Sequence, residues 1–132
     1  MRKLIGIAIV MAALLATTSG EALARDTLTA KEKSAIEKAV KRELLDPESA
    51  RFKWLNLPPG TSTKSSAVTY CGLVNSKNSY GGYVGDSPFQ VIIMWSEKGK
   101  LLDEVDVFIR DNKNVTYKIC ADAGYVDFSI AE

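Results

Sequence analysis

The sequence predicts an α+β domain: one N-terminal amphipathic helix packed on a four- to six-stranded, mainly antiparallel sheet, with one disulfide. Three observations carry this prediction. Ile36, Ala39, Val40 and Leu44 recur at helical spacing early in the chain. Further on, short alternating or wholly apolar runs are separated by Gly, Pro, Asn, Asp and Ser, the punctuation of strands and turns. Two cysteines, Cys71 and Cys120, lie far apart in this strand-rich part.

The chain opens with export signals. Arg2 and Lys3 make a positive segment, Leu4 to Leu15 are apolar apart from Gly6, and Ala22-Leu23-Ala24 puts small residues where a signal peptidase reads. Residues 1–24 are therefore expected to be a signal peptide, with Arg25 the first mature residue. The apolar run is too short to span a hydrocarbon layer of about 30 Å, so no transmembrane anchor is expected after cleavage. No cysteine follows the run to carry a lipid. Residues 25–132 then form a single α+β domain of 108 residues, enough for one core without a metal. Its expected setting is periplasmic or secreted.

The mature chain carries 15 basic and 15 acidic side chains. A neutral domain lacks the electrostatic footprint of a nucleic-acid binder, so no nucleic acid is expected among its partners. Residues 25–64 hold 9 basic and 6 acidic side chains, and residues 65–132 hold 6 and 9. That split solubilises both halves and can orient a partner. In an exported chain the two cysteines are expected to pair, with free thiols or an intermolecular bridge as the alternatives. A bridge closing about 50 residues stabilises by roughly 4 kcal/mol on the chain-entropy model.

Thr29-Ala30-Lys31-Glu32 fits a capping box, and a helix should follow to about Leu45. Lys33, Glu37, Lys41 and Arg42 form its solvated face, and Glu37 and Lys41 are spaced for an ion pair. Asp46-Pro47-Glu48-Ser49-Ala50 stops it, and Asp46 can cap a short turn with Pro47 in first position. Arg51 to Leu55 alternates and reads as a first strand. Leu57 to Ser66 is a surface connection. Ala67 to Val74 reads as a second strand, with Val68, Tyr70, Gly72 and Val74 on one face and Thr69, Cys71 and Leu73 on the other. Phe89 to Ser96 is the most apolar mature segment and reads as a central strand covered on both sides. Glu97-Lys98-Gly99-Lys100 is a hairpin turn, Leu101 to Ile109 a fourth strand, and Asp111 to Asn114 a turn. Val115 to Cys120 reads as a fifth strand with Val115, Tyr117 and Ile119 inward, and Tyr125 to Ile130 as an edge strand. On strict alternation the bridge lies on the sheet face away from the helix. The Gly/Tyr loop between the second and third strands is expected to fold over that face, with Tyr80 or Tyr83 packing down.

The residue inventory excludes much chemistry. The chain has no histidine, which removes the usual triad base and the commonest transition-metal ligand. Two paired cysteines make neither a zinc site nor a Cys-x-x-Cys redox centre. Gly81-Gly82-x-x-Gly85 has neither the spacing nor the Lys-Ser/Thr of a phosphate loop. No metal or other cofactor is expected. Carboxylates are the remaining general acid and base. Glu104 and Asp106, two apart on one strand, would stand about 6.5–7 Å apart, which suits a glycosidase pair. A solvent-facing acidic strip explains the same alternation and is the preferred reading.

The loop is the stronger candidate. Gly81, Gly82 and Gly85 admit left-handed backbone angles. Asn75, Asn78 and Ser79 can bond their own backbone or a ligand. Lys77 adds a charge. Tyr80 and Tyr83 offer flat amphipathic area, the composition that binding loops favour. The alternative is structural: the Tyr rings pack on the sheet and the Asn side chains tie the loop together.

Two stretches carry a resemblance. Asp46-Pro47-Glu48-Ser49-Ala50-Arg51-Phe52 reads D-P-x-S-A-x-F. Cys71 to Tyr83, continuing to Pro88-Phe89, reads C-G-x-V-N-x-K-N-x-Y-G-G-Y-x-G-x-x-P-F. With Leu44 and Leu45 this span resembles a family of small, mostly uncharacterised bacterial exported proteins. The resemblance covers residues 44 to 89 and implies a bacterial envelope or secreted setting, with no activity to carry over.

The expected function is therefore non-enzymatic: a module binding another envelope or secreted protein, as an inhibitor, immunity factor or envelope accessory. Its expected site is Asn75, Lys77, Asn78, Tyr80, Gly81, Gly82 and Tyr83. The alternatives are a carbohydrate or peptidoglycan binder using the same aromatics, and a hydrolase using Glu104 and Asp106.

Overall fold

The computed structural model describes residues 25–64, 66–102, 106–109 and 112–125. The expected signal peptide, Glu104 and most of the expected last strand lie outside these residues.

Helix α1 runs Ala30–Lys41. Thr29 and Glu32 close its capping box reciprocally, and Glu32, Ile36, Ala39 and Val40 form its buried face. The helix stops four residues short of Leu45, where the amides of Glu43 and Leu44 bond back to Val40 and Lys41. A 3-10 turn, Pro47–Ser49, follows, with Pro47 in first position and the Asp46 side chain accepting from the Ser49 amide at 3.3 Å.

Four strands form one antiparallel sheet in chain order: β1 (Arg51–Trp54), β2 (Ser66–Asn75), β3 (Ser87–Trp95) and β4 (Asp106–Phe108). The bridge Trp95↔Leu101 continues the third hairpin beyond the short β4. Partners across the ladder share a face. One face therefore collects Phe52, Trp54, Tyr70, Gly72, Val74, Phe89, Val91, Ile93 and Trp95. Helix α1 covers it: Glu32 accepts from Trp95 Nε1 at 2.7 Å, and Lys33 lies over the Trp54 ring. Tyr70 is fully buried there; its hydroxyl donates to the Leu55 carbonyl and accepts from the Leu55 amide, fixing the chain where β1 ends.

The opposite face carries Cys71, Leu73 and Gln90, and its cover differs from the expected one. The segment read as a fifth strand is a second helix, α2 (Lys113–Asp122), and Asn112 caps it where a turn was expected. Alternation of Val115, Tyr117 and Ile119 suggests a strand, but Thr116 and Cys120 are spaced for one helix face, and both are fully buried. Gly124, at φ +100°, ends the helix. The Tyr125 amide bonds to the Cys120 carbonyl and the Gly124 amide to the Ala121 carbonyl, a Schellman arrangement. Cys120 bonds Cys71 with their Cα atoms 6.0 Å apart. The bridge thus lies on the sheet face away from α1, held by a helix rather than a strand. Helix α2, not the Gly/Tyr loop, covers that face.

Gly72 allows the closest packing in the core. A Cβ there would stand 2.6 Å from Phe89 Cζ and 3.3 Å from the Lys53 carbonyl oxygen. Phe89 is fully buried, with the rings of Phe52, Trp54 and Tyr70 around it at 5.9–6.4 Å between centroids. A Cβ at Gly72 would have to push that ring against its neighbours. Gly72→Ala is therefore expected to cost about 3 kcal/mol in a urea titration, the upper end for an overpacked core. A loss below about 1 kcal/mol would mean that the cluster yields.

Candidate functional site

The connection from Ser76 to Asp86 extends the β2–β3 hairpin as a closed loop. Lys77 and Tyr83 form an isolated bridge at its neck. Beyond the neck, the Asn78 amide donates to the Gly82 carbonyl at 2.9 Å and the Gly81 amide to the Asn78 carbonyl at 3.0 Å. Asn78 Oδ1 accepts from the amides of Tyr80 and Gly82 at 3.0 and 3.1 Å. Asn75 Oδ1 accepts from the Gly85 amide at 3.1 Å. Gly81 and Gly85 take φ values of +81° and +88°, where side chains are strained, so these two positions need glycine. The backbone is thereby tied down by its own asparagines.

The two stretches that carry the resemblance meet here. Ser49 Oγ accepts from the Lys77 amide at 2.8 Å and donates to the Asp46 carbonyl at 2.8 Å. The Tyr83 hydroxyl donates to the Ser49 carbonyl at 3.1 Å. The turn that stops α1 is therefore also the buttress of the loop.

Charges line the same side. Arg51 stands 4.1 Å from the Tyr83 ring centroid, and Lys77 Nζ stands 5.5 Å from it. Lys53 pairs with Asp86 at 2.8 Å, and Lys113, at the start of α2, donates to the Asp86 carbonyl at 3.2 Å. On the other side of the Pro47–Ser49 turn, Lys38, Lys41, Arg42, Pro47 and Glu48 line an open groove of about 480 Å³ along α1. Its mixed charges are those of a solvated helix face.

The expected site residues divide by role. Asn75, Lys77, Asn78, Gly81, Gly82 and Tyr83 form the scaffold of the loop. Tyr83 leans on Ser49 and Arg51 rather than packing on the central strand, contrary to expectation. Tyr80 does not pack down either: at 96 % exposure it projects from the tip, followed by the half-exposed Val84. The structure adds Ser49, Arg51, Lys53, Asp86 and Lys113. Ser49 was legible only as a turn residue, while Arg51 and Lys53 carried a signal in their alternation along the first strand.

Of the two carboxylates considered for hydrolysis, Glu104 lies outside the described residues, and Asp106 sits exposed on β4, opposite Ile92. Among the described residues no three His, Cys, Asp or Glu side chains converge as a metal site, and no helix is long and apolar enough to cross a membrane. Comparison with protein-family models, with curated proteins and with solved structures gives no match to this chain.

Proposed function

We propose that the chain is an exported bacterial protein that binds another envelope or secreted protein through the loop from Asn75 to Pro88, and that it performs no catalysis. One observation carries this reading: a fully exposed tyrosine stands on a backbone pinned by Asn75, Asn78 and Ser49. Exposing a large ring in water gives the isolated chain nothing, whereas a rigid aromatic is an economical anchor for a partner. The export pattern in residues 1–24, the Cys71–Cys120 bridge and the resemblance over residues 44 to 89 support a periplasmic or secreted setting.

Affinity capture from a bacterial envelope extract tests the reading. Tyr80→Ala removes a side chain without an internal contact, so stability should change by less than about 0.5 kcal/mol. Recovery of the partner should fall at least about tenfold, as for a central aromatic anchor. Equal recovery by the folded variant would remove the loop from the function. Glycan binding draws on the same ring, and co-sedimentation with purified sacculi separates the two readings.

A further inference from the structure

We propose that the protein partner docks a carboxylate-bearing segment across a cationic strip made by Arg51, Lys53, Lys77 and Lys113, with Tyr80 and Val84 as the apolar anchor beside it. This inference rests on the loop being a protein-binding surface and names the chemistry that surface selects. Arg51 and Lys53 are two apart on β1, so both leave the same face of the sheet, about 7 Å apart. Lys77 and Arg51 both approach the Tyr83 ring, and Lys113 reaches the other end of the strip through the Asp86 carbonyl.

Asp86, engaged by Lys53, is the one carboxylate bonded to the strip among the described residues. Glu48, the nearest acid on the buttressing turn, faces the α1 groove, and Asp46 is committed to the Ser49 amide. Four cations against one carboxylate leave the strip positive. Arg51 and Lys77 share one ring, neither pairs with a carboxylate among the described residues, and the ring's π cloud offsets only part of their repulsion. An incoming carboxylate supplies the missing charge, and like-charged partners are rejected. A proteinaceous partner fits better than an acidic polysaccharide. The half-exposed Val84, next to Tyr83 in the chain, offers an aliphatic contact that a leucine-like side chain fills and a hydroxylated sugar does not.

The test is fluorescence anisotropy of the oxidised chain with a labelled peptide alternating glutamate and leucine, its glutamine counterpart, and polygalacturonate. The glutamate peptide should bind, weaken steeply with added salt, and outbind both other probes. Arg51→Gln with Lys77→Gln should weaken it about tenfold. Lys113→Gln, at the exposed start of α2, should weaken it about threefold and carries the test if the double variant misfolds. Equal binding of the two peptides, lost in Tyr80→Ala, would keep the loop reading and overturn the acidic partner. Tighter binding of polygalacturonate would overturn it in favour of a polysaccharide. Binding of neither peptide would also overturn it, while Tyr80-dependent capture still decides the loop reading.

Discussion

Replacing Cys71 and Cys120 together by alanine is expected to lower the unfolding free energy by about 4 kcal/mol and to release α2 before the sheet melts. The first effect follows from the 49-residue separation that the bridge closes. The second follows from the bridge standing at one of the two positions of α2 that are fully buried. Thr116 and Cys120 are the fully buried pair, Tyr117 packs half-buried against the core, and Val115 is 40 % exposed. Thr116 Oγ1, and Gln90 Oε1 on the sheet face that α2 covers, are buried without a hydrogen-bond partner among the described residues, so covering this face costs desolvation as well as gaining contact. Against that stands Tyr125, which packs edge-on to Tyr70 at 6.0 Å and donates to the Thr69 carbonyl at 3.2 Å. The α1 side of the sheet keeps Phe89, Val91 and Ile93 whether or not the bridge forms. Urea titration should show the loss, and hydrogen exchange should show α2 amides unprotected while those of β2 and β3 stay slow. A loss under about 1 kcal/mol with α2 still protected would mean that packing, not sulfur, holds the helix.

The parts of this fold that were legible in the sequence are those where local chemistry and tertiary packing agree. The capping box at Thr29 and Glu32, the Pro47 turn and the second and third strands all formed as their residues suggest. Helix α2 was misread because Lys113–Asp122 alternates apolar and polar residues over a short span, where a strand and one helix face give overlapping patterns. The better signals lay outside the alternation: Asn112 as a cap, Gly124 as a stop, and Lys118 four residues before Asp122, with which it pairs at 3.2 Å. The loop was legible as a feature but not in its roles. Composition marks Tyr80 and Tyr83 as equivalent. Only the distant Ser49 carbonyl and Arg51 guanidinium, 34 and 32 residues upstream of Tyr83, make one a strut and leave the other free.

Glu32 is the one buried acidic side chain among the described residues, and Glu32→Ala is expected to cost about 3 kcal/mol, against about 1 kcal/mol for Glu32→Gln. The carboxylate is 4 % exposed and has four protein donors on it: two nitrogens of Arg25, the Thr29 amide at 2.8 Å and Trp95 Nε1 at 2.7 Å. Removing the acceptor leaves the indole N–H of a buried Trp95 unpaired and opens the capping box. Arg25 is partly in water and recovers much of its hydration, which keeps the cost at the lower end for a broken buried pair. Glutamine keeps an acceptor in place and loses mainly the charge. The same contrast sets a pH dependence. Burial alone pushes the Glu32 carboxyl up, but the bonds from Arg25, Thr29 and Trp95 together outweigh it and hold the group below its usual 4.5. Below that value the unfolded chain takes the proton first, so this stabilisation is complete above about pH 4.5 and fades as pH falls through the folded value. Wild type should therefore lose its advantage over Glu32→Gln on acidification, read as converging melting temperatures. A constant gap down to low pH would show that the carboxylate's charge contributes nothing. The same contact ties Arg25, ahead of α1, to the buried end of that helix. Arg25→Gln should then shift the acid transition of wild type but not that of Glu32→Gln.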